Sequence, residues 1–79
     1  MKLVYDPDRD ILQMSLNTST IEETAQLSPG IILDYDEDGH IIGFEIRQAS
    51  KKVDDPYSMT YLVNRANMDK PPIKGNTYS

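Results

Sequence analysis

The chain has 79 residues, of which 13 are acidic and 8 are basic, and it contains no cysteine. This length corresponds to one domain with a thin core, and the lack of cysteine excludes disulfides, thiolate metal sites and cysteine nucleophiles. No apolar run approaches the length of a membrane span or of a signal sequence, so we expect a cytoplasmic protein with no membrane partner.

The charge is distributed unevenly along the chain. Residues 1–46 contain ten acidic and two basic residues, a net charge of −8, whereas residues 47–79 contain three acidic and six basic residues, a net charge of +3. Nucleic-acid-binding surfaces need clustered Lys and Arg, so the acidic half argues against direct nucleic-acid binding. It favours a basic protein as the partner.

The N-terminal residues predict a first hairpin. Apolar and polar residues alternate over residues 2–5 and 11–16, and the loop sequence DPDRD lies between them. Pairing Tyr5 with Leu12 and Leu3 with Met14 places the apolar side chains on one face.

A middle strand and a second hairpin follow. Residues 20–27 alternate more weakly and predict a middle or edge strand. Asp38-Gly39 is a strong turn signal between residues 31–36 and 41–47, because Gly tolerates positive φ and Asp bonds its own backbone. Placing Asp36 opposite Ile41 sets Tyr35 opposite Ile42, Leu33 opposite Phe44 and Ile31 opposite Ile46.

The residues after Ser50 predict a helix near residues 56–66. Asp55 can act as its cap and Pro56 as its first residue, and Met59, Leu62 and Val63 recur at helical spacing. Residues 68–79 are rich in Pro and polar residues and predict a disordered tail, which leaves residues 1–67 as the folded domain.

Together these elements predict an α+β fold, an antiparallel hairpin or meander sheet of four to five strands covered on one face by one C-terminal helix. The predicted core faces that helix. It consists of Leu3, Tyr5, Leu12, Met14, Leu16, Ile31, Leu33, Tyr35, Ile42, Phe44 and Ile46.

Asp34 and Glu45 are the most informative polar pair. The register sets Asp34 opposite Gly43 and diagonal to Glu45 on the polar face. Two such carboxylates could act as acid and base in a small enzyme or ligand-binding domain if a pocket separated their pKa values. The simpler interpretation is that they keep this face soluble or bind Arg47, because a flat sheet face seldom offers a pocket.

Two acidic segments resemble metal loops superficially. Asp6, Asp8 and Asp10 alternate like the first ligands of a calcium loop, but Ile11 replaces the required Gly and no acid follows at the twelfth position. The acids around the second turn, and the lone His40 at its tip, are better explained as a solvated turn. We therefore expect no metal and no cofactor.

Two motifs and the residues that follow them carry a resemblance to a known family. They are Tyr5-Asp6-Pro7, Asp10, Leu12, Met14, Pro29 to Asp36, Asp38-Gly39, Gly43, Glu45-Ile46 and Ala49-Ser50. With these residues the chain resembles the small bacterial domain-of-unknown-function family 2283 over roughly residues 1–52. The resemblance implies a compact β-hairpin domain without assigned catalytic residues, sometimes encoded beside toxin-like small genes. Gln13 and Phe44 depart from the residue types that the family usually has there.

The sequence thus favours a protein-interaction module that is not an enzyme. We expect it to act as an antitoxin-like or regulatory partner of a basic protein, with Asp34, Asp36 and Glu45 contacting that partner. A thin core and an open sheet edge also predict a homodimer, with Tyr57, Met59 and Tyr61 at the contact. The alternative is a small ligand-binding domain or enzyme that uses Asp34 and Glu45.

Overall fold

The computed structural model describes residues 1–65, which form one antiparallel sheet of five strands. The spatial order is β1-β2-β5-β4-β3, so β5 is central and β1 and β3 are the edges. One short 3-10 turn, Ala49–Lys51, follows β5. The strands are β1 (Lys2–Asp6), β2 (Ile11–Ser15), β3 (Glu23–Ser28), β4 (Ile31–Tyr35) and β5 (Ile41–Arg47).

The first hairpin has the predicted register. Tyr5 pairs with Leu12 and Leu3 pairs with Met14. In the loop, Asp6 Oδ1 accepts the backbone N–H groups of Asp8 and Arg9 at 3.0 and 3.3 Å. The aspartates of this loop therefore serve turn formation, as expected of Asp at loop starts.

The second hairpin follows the predicted register over most of its length, with one error near its tip. Ile31 pairs with Ile46 and Leu33 with Phe44, as predicted, but Tyr35 pairs with Ile41 instead of Ile42. The turn closes one residue earlier than expected, because the N–H of Asp36 donates to the carbonyl of His40 at 3.0 Å. The extra residue on β5 is absorbed as a β-bulge.

The predicted C-terminal helix is wrong, so the described fold is all-β and not α+β. Asp55 and Pro56 do start a turn, in which the Ser58 N–H donates to the Asp55 carbonyl at 3.1 Å, but residues 59–65 continue without regular structure. A segment this short is a marginal helix unless an apolar face packs, and Met59 and Leu62 are 60% and 83% exposed.

Residues 1–65 include no helix with the length and apolar character needed to cross a membrane. Residue 66, the last of the predicted helix, and the predicted tail over residues 68–79 lie outside the described residues.

The predicted core is only partly correct. Of its members, Ile42 is buried at 4% exposure, Leu16 is exposed at 39%, and the others are half-buried. Ile32 and Ala49 are buried although neither was predicted to be. Ile32 lies on the polar face of the sheet, between Gln26 and Glu45 of the neighbouring strands, where these long polar side chains flank it.

One side of the sheet is apolar across four strands, and we call it the apolar face. Cross-strand pairing aligns its members in rows from β1 through β2 and β5 to β4. Each of them is half-buried, because no second layer of secondary structure lies on this side within residues 1–65. The apolar face consists of Leu3, Tyr5, Leu12, Met14, Phe44, Ile46, Ile31 and Leu33.

Candidate functional site

Acidic side chains from two segments far apart in sequence meet at one end of the sheet. The connection between β2 and β3 supplies Glu22, and the β4–β5 turn supplies Asp36, Glu37 and Asp38. We call these four residues the acidic end, and they line a cavity of about 290 Å³. All except Asp36 are exposed, so this end of the molecule presents negative charge to an approaching partner.

Asp36 holds the β4–β5 turn together. Its Oδ1 accepts the backbone N–H groups of Asp38 and His40, each at 2.9 Å. The hydrogen bond from the His40 backbone is the main cause that keeps the pKa of the Asp36 carboxyl below its ordinary value. Asp36, which the sequence predicted as a partner contact, is thus largely engaged inside the turn, whereas its neighbour Glu37 is exposed.

The same turn brings together three groups that could ligate a metal. Ligand atoms of Asp36, Asp38 and His40 lie within 4.8 Å of one another. The His40 side chain is 76% exposed, and its Nδ1 is 3.5 Å from Asp36 Oδ2. Turn formation already accounts for this arrangement, and exposed acidic turns are common without metal.

Asp34 and Glu45 lie on the same side of the sheet, as the register predicted, but each has a different neighbour. Asp34 pairs with Gly43, and its Oδ1 accepts the Thr24 hydroxyl at 3.2 Å. Glu45 Oε2 accepts Nε–H of Arg47 at 2.7 Å. Neither carboxylate lines either of the two cavities described in this section. The roles of Asp34 and Glu45 in partner binding or catalysis stay predictions.

A hydrogen-bonded cluster that sequence reasoning did not assemble joins the first turn to the end of β5. Asp10 Oδ1 accepts the Tyr5 hydroxyl at 2.7 Å and the Ser50 N–H at 2.9 Å, and Asp10 Oδ2 accepts the Ser50 hydroxyl at 2.6 Å. The Asp10 carbonyl also accepts the N–H of Ala49, which is fully buried. Asp10 has φ 55, a left-handed conformation that Asp tolerates better than most residues.

This cluster is suited to holding the fold and not to proton transfer at neutral pH. The hydrogen bonds that Asp10 accepts lower the pKa of its carboxyl, and the bond from the Ser50 hydroxyl is the largest cause. The hydrogen bond that Tyr5 donates to Asp10 is the main cause that raises the pKa of Tyr5 to about 12. Both groups are thereby moved away from neutrality, whereas a general acid or base needs a pKa near the working pH.

Because of the hydrogen bond from Tyr5 to Asp10, we expect the stability of the fold to vary with pH in the alkaline range. Because the folded pKa of about 12 exceeds the unfolded value of about 10, the stabilisation is fully present below pH ~10 and lost as the pH rises towards ~12. We expect the wild type to melt at a higher temperature than Tyr5→Phe at neutral pH and the difference to shrink across this window. Melting curves followed by circular dichroism measure it, with Tyr61→Phe as the control. An unchanging difference between pH ~9 and ~12 would contradict the assignment.

A second cavity, of about 570 Å³, lies between the β1–β2 part of the apolar face and residues 53–59. The rings of Tyr5 and Tyr57 meet edge to face there, with centroids 5.1 Å apart and planes at 81°. Tyr57, Met59 and Tyr61 are nevertheless 75%, 60% and 69% exposed. The three residues predicted at an oligomer contact are therefore accessible, and their role stays a prediction.

One protein-family model matches most of the described residues. A model described as "Protein of unknown function (DUF2283)" matches residues 2–50. The chain belongs to the DUF2283 family. Comparisons with curated proteins and with solved structures return no significant match.

The DUF2283 region coincides with the sheet and its closing cluster. It contains all five strands and ends at Ser50, the residue that bonds Asp10 across 40 positions of sequence. The signal for this cluster was present in the sequence, because Tyr5, Asp10 and Ala49-Ser50 all carry the family resemblance. Their separation along the chain concealed that they share one site.

Proposed function

We propose that this DUF2283 protein is a protein-interaction module that binds a basic protein through its acidic end. The single observation that carries the proposal is the convergence of Glu22 with the acids of the β4–β5 turn. We further propose an antitoxin-like or regulatory role in the bacterial cytoplasm, in keeping with what the family resemblance implies.

The distribution of charge supports a basic partner. Residues 1–46 carry a net charge of −8, and no Lys or Arg among residues 1–65 lines the cavity of the acidic end. A concentrated negative potential attracts a positively charged protein over a Debye length and raises the association rate. The same potential repels phosphate backbones and anionic lipid surfaces, so neither nucleic acid nor membrane fits this end.

Asp34 and Glu45 extend the proposed surface onto the sheet. Asp34 on β4 lies two residues before Asp36 of the turn, and the carboxylates of Asp34 and Glu45 are on the side of the sheet opposite the apolar face. Because the carboxylates of Asp34 and Glu45 are each bonded to a neighbour, we expect them to contribute less than the exposed carboxylates of Glu37 and Asp38 in the turn.

Charge reversal tests the proposal. We expect Glu22→Lys with Glu37→Lys to weaken binding of the captured partner by about tenfold or more, because two attractive contacts become repulsive. Asp8→Lys with Asp54→Lys is the matched control, since it changes the net charge equally at exposed sites elsewhere. The partner is captured from a lysate of the native host, identified by mass spectrometry, purified and titrated against each variant.

Two results would contradict the proposal. One is equal binding of the partner by the two charge-reversed variants, which would show that total charge matters and the acidic end does not. The other is a captured partner whose net charge is negative. Asp34→Lys with Glu45→Lys, measured in the same titration, tests the sheet extension separately.

A further inference from the structure

The described fold lacks the buried interior that a stable domain needs. Only Ile32, Ile42 and Ala49 are buried hydrophobic residues among residues 1–65. Domains are built from at least two packed layers of secondary structure, and a chain of this size is already marginal when it buries about 60% of its surface. A single sheet layer with three buried apolar residues therefore leaves the second layer of the domain to be supplied from outside residues 1–65.

The apolar face is where that second layer is missing. Its central rows pair Leu33 with Phe44 and Phe44 with Met14, and all three side chains remain half-exposed. The largest contiguous apolar patch on a soluble protein often marks an interaction surface.

The segment after the sheet adds further exposed apolar surface next to this face. Residues 53–59 lie beside it and enclose the 570 Å³ cavity. Tyr57 and Met59 of this segment are exposed, and so are the residues that follow it in the chain, Tyr61, Leu62 at 83% and Val63 at 54%.

We propose that a second copy of this chain covers the apolar face, so that two sheets pack face to face around a shared core, with residues 57–63 of each copy at the rim. A second copy matches the surface because it offers an apolar face of the same size, and two-fold association pairs a patch with itself. Sheets packed in this way lie about 10 Å apart with interdigitated side chains.

The positions of the charged residues permit this contact between two acidic chains. Asp34 and Glu45 lie on the opposite side of the sheet, and the acidic end lies at the β4–β5 turn. None of the eight residues of the apolar face carries a charge. Two copies can therefore meet without placing one carboxylate against another in the buried centre.

The area of a specific dimer requires both the apolar face and the rim. Four strands about 4.8 Å apart, each about 17 Å long, give the apolar face roughly 330 Å² in projection, and two such faces cover about 650 Å². Specific interfaces bury about 1,200 Å² or more. The exposed apolar side chains of residues 57–63 in the two copies therefore have to supply the remainder.

Single tryptophans test the proposal directly, because the chain has none. Phe44→Trp places the indole on the apolar face, and Val4→Trp places it on the opposite side of the sheet, where Val4 is 42% exposed. We expect sedimentation equilibrium to give twice the chain mass at tens of micromolar for both. We also expect the emission of Phe44→Trp, but not of Val4→Trp, to shift to shorter wavelength as concentration rises.

Paired charge insertions complete the test. Leu33→Asp should raise the dimer dissociation constant by about 100-fold or more, because a carboxylate would be buried without a partner, whereas Val4→Asp should leave it within about threefold. If Leu33→Asp does not fold, the emission of the two tryptophan variants still tests the proposal.

Three results would overturn the proposal. One is a monomer mass for the wild type, and another is a dimer in which the emission of Val4→Trp shifts and that of Phe44→Trp does not. A dimer insensitive to Leu33→Asp but abolished by Ala25→Pro in the β3 edge would show edge pairing instead and also overturn it.

Discussion

Replacing Phe44 with alanine should lower the free energy of unfolding by about 3–5 kcal/mol, the cost of truncating a buried phenylalanine, at concentrations where the chain is associated. Phe44 lies on the central strand between Met14 of β2 and Leu33 of β4. Truncation therefore removes contacts in both directions across the sheet. A second copy on the apolar face would bury the rest of the ring, which a lone sheet leaves half-exposed.

Val4→Ala is the matched control for Phe44→Ala. Val4 lies on the opposite side of the sheet and is 42% exposed, so we expect a cost below about 1 kcal/mol. Urea denaturation at a fixed chain concentration measures both variants. A cost below ~1 kcal/mol for Phe44→Ala would show that the ring is not part of a buried interior in any assembly of this protein.

The second large effect is expected at Gly43, where a strand glycine permits close backbone approach. A Cβ at this position would lie 2.7 Å from the Met14 carbonyl oxygen and 3.2 Å from Asp34 Oδ2. The first contact is with backbone of the adjacent strand, so β2 and β5 would have to separate. We expect Gly43→Ala to destabilise the fold by about 2–3 kcal/mol, as overpacking does.

A loss of stability on Gly43→Ala would be opposite to the usual effect of replacing glycine with alanine in a strand. Alanine is normally better than glycine in a strand, because it restricts the unfolded chain and adds a side chain to pack. Gly39→Asn is the control, since Gly39 has φ +83 with nothing within 4 Å of a Cβ, and Asn tolerates positive φ. We expect it to cost less than about 1 kcal/mol. Equal stability of Gly43→Ala and the wild type in thermal melts would contradict the close approach.

The hairpins could be predicted from the sequence because their signals are local. Alternation over a few residues and a turn dipeptide were sufficient to pair Tyr5 with Leu12 and Leu33 with Phe44. The predicted pairing of Tyr35 with Ile42 is wrong because the length of the turn was inferred from Asp38-Gly39 alone. The loop closes through a bond between Asp36 and His40, which no alternation pattern encodes.

The helix was mispredicted because spacing alone was used as evidence. Met59, Leu62 and Val63 have helical spacing, but a short helix is stabilised by packing and not by pattern. Within residues 56–65 the aromatic and β-branched residues Tyr57, Thr60, Tyr61 and Val63 also lower helix propensity. The structure leaves the side chains of Met59, Leu62 and Val63 more than half exposed, whereas the residues of the apolar face are half-buried.

The site could be predicted only in part, because it depends on contacts between distant segments. Pairing of β2 with β5 brings the first turn to the end of β5, and this closes the bonds between Asp10 and Ser50. Likewise, the β2–β3 connection brings Glu22 to the β4–β5 turn. Sequence reasoning found the acids of that turn and predicted a partner surface formed by Asp34, Asp36 and Glu45, because charge within one hairpin is visible in sequence and the convergence of two loops is not.

The central claim is that two copies associate through their apolar faces, whereas the acidic end binds a different protein. The salt dependence of self-association tests this claim most directly. Each copy carries a net charge of −5, so screening should reduce repulsion between them. We predict that the dimer dissociation constant, measured by sedimentation equilibrium, falls several-fold between about 0.05 M and about 0.5 M sodium chloride. A dimer that dissociates as salt rises would show that charged contacts join the two copies and would contradict the account.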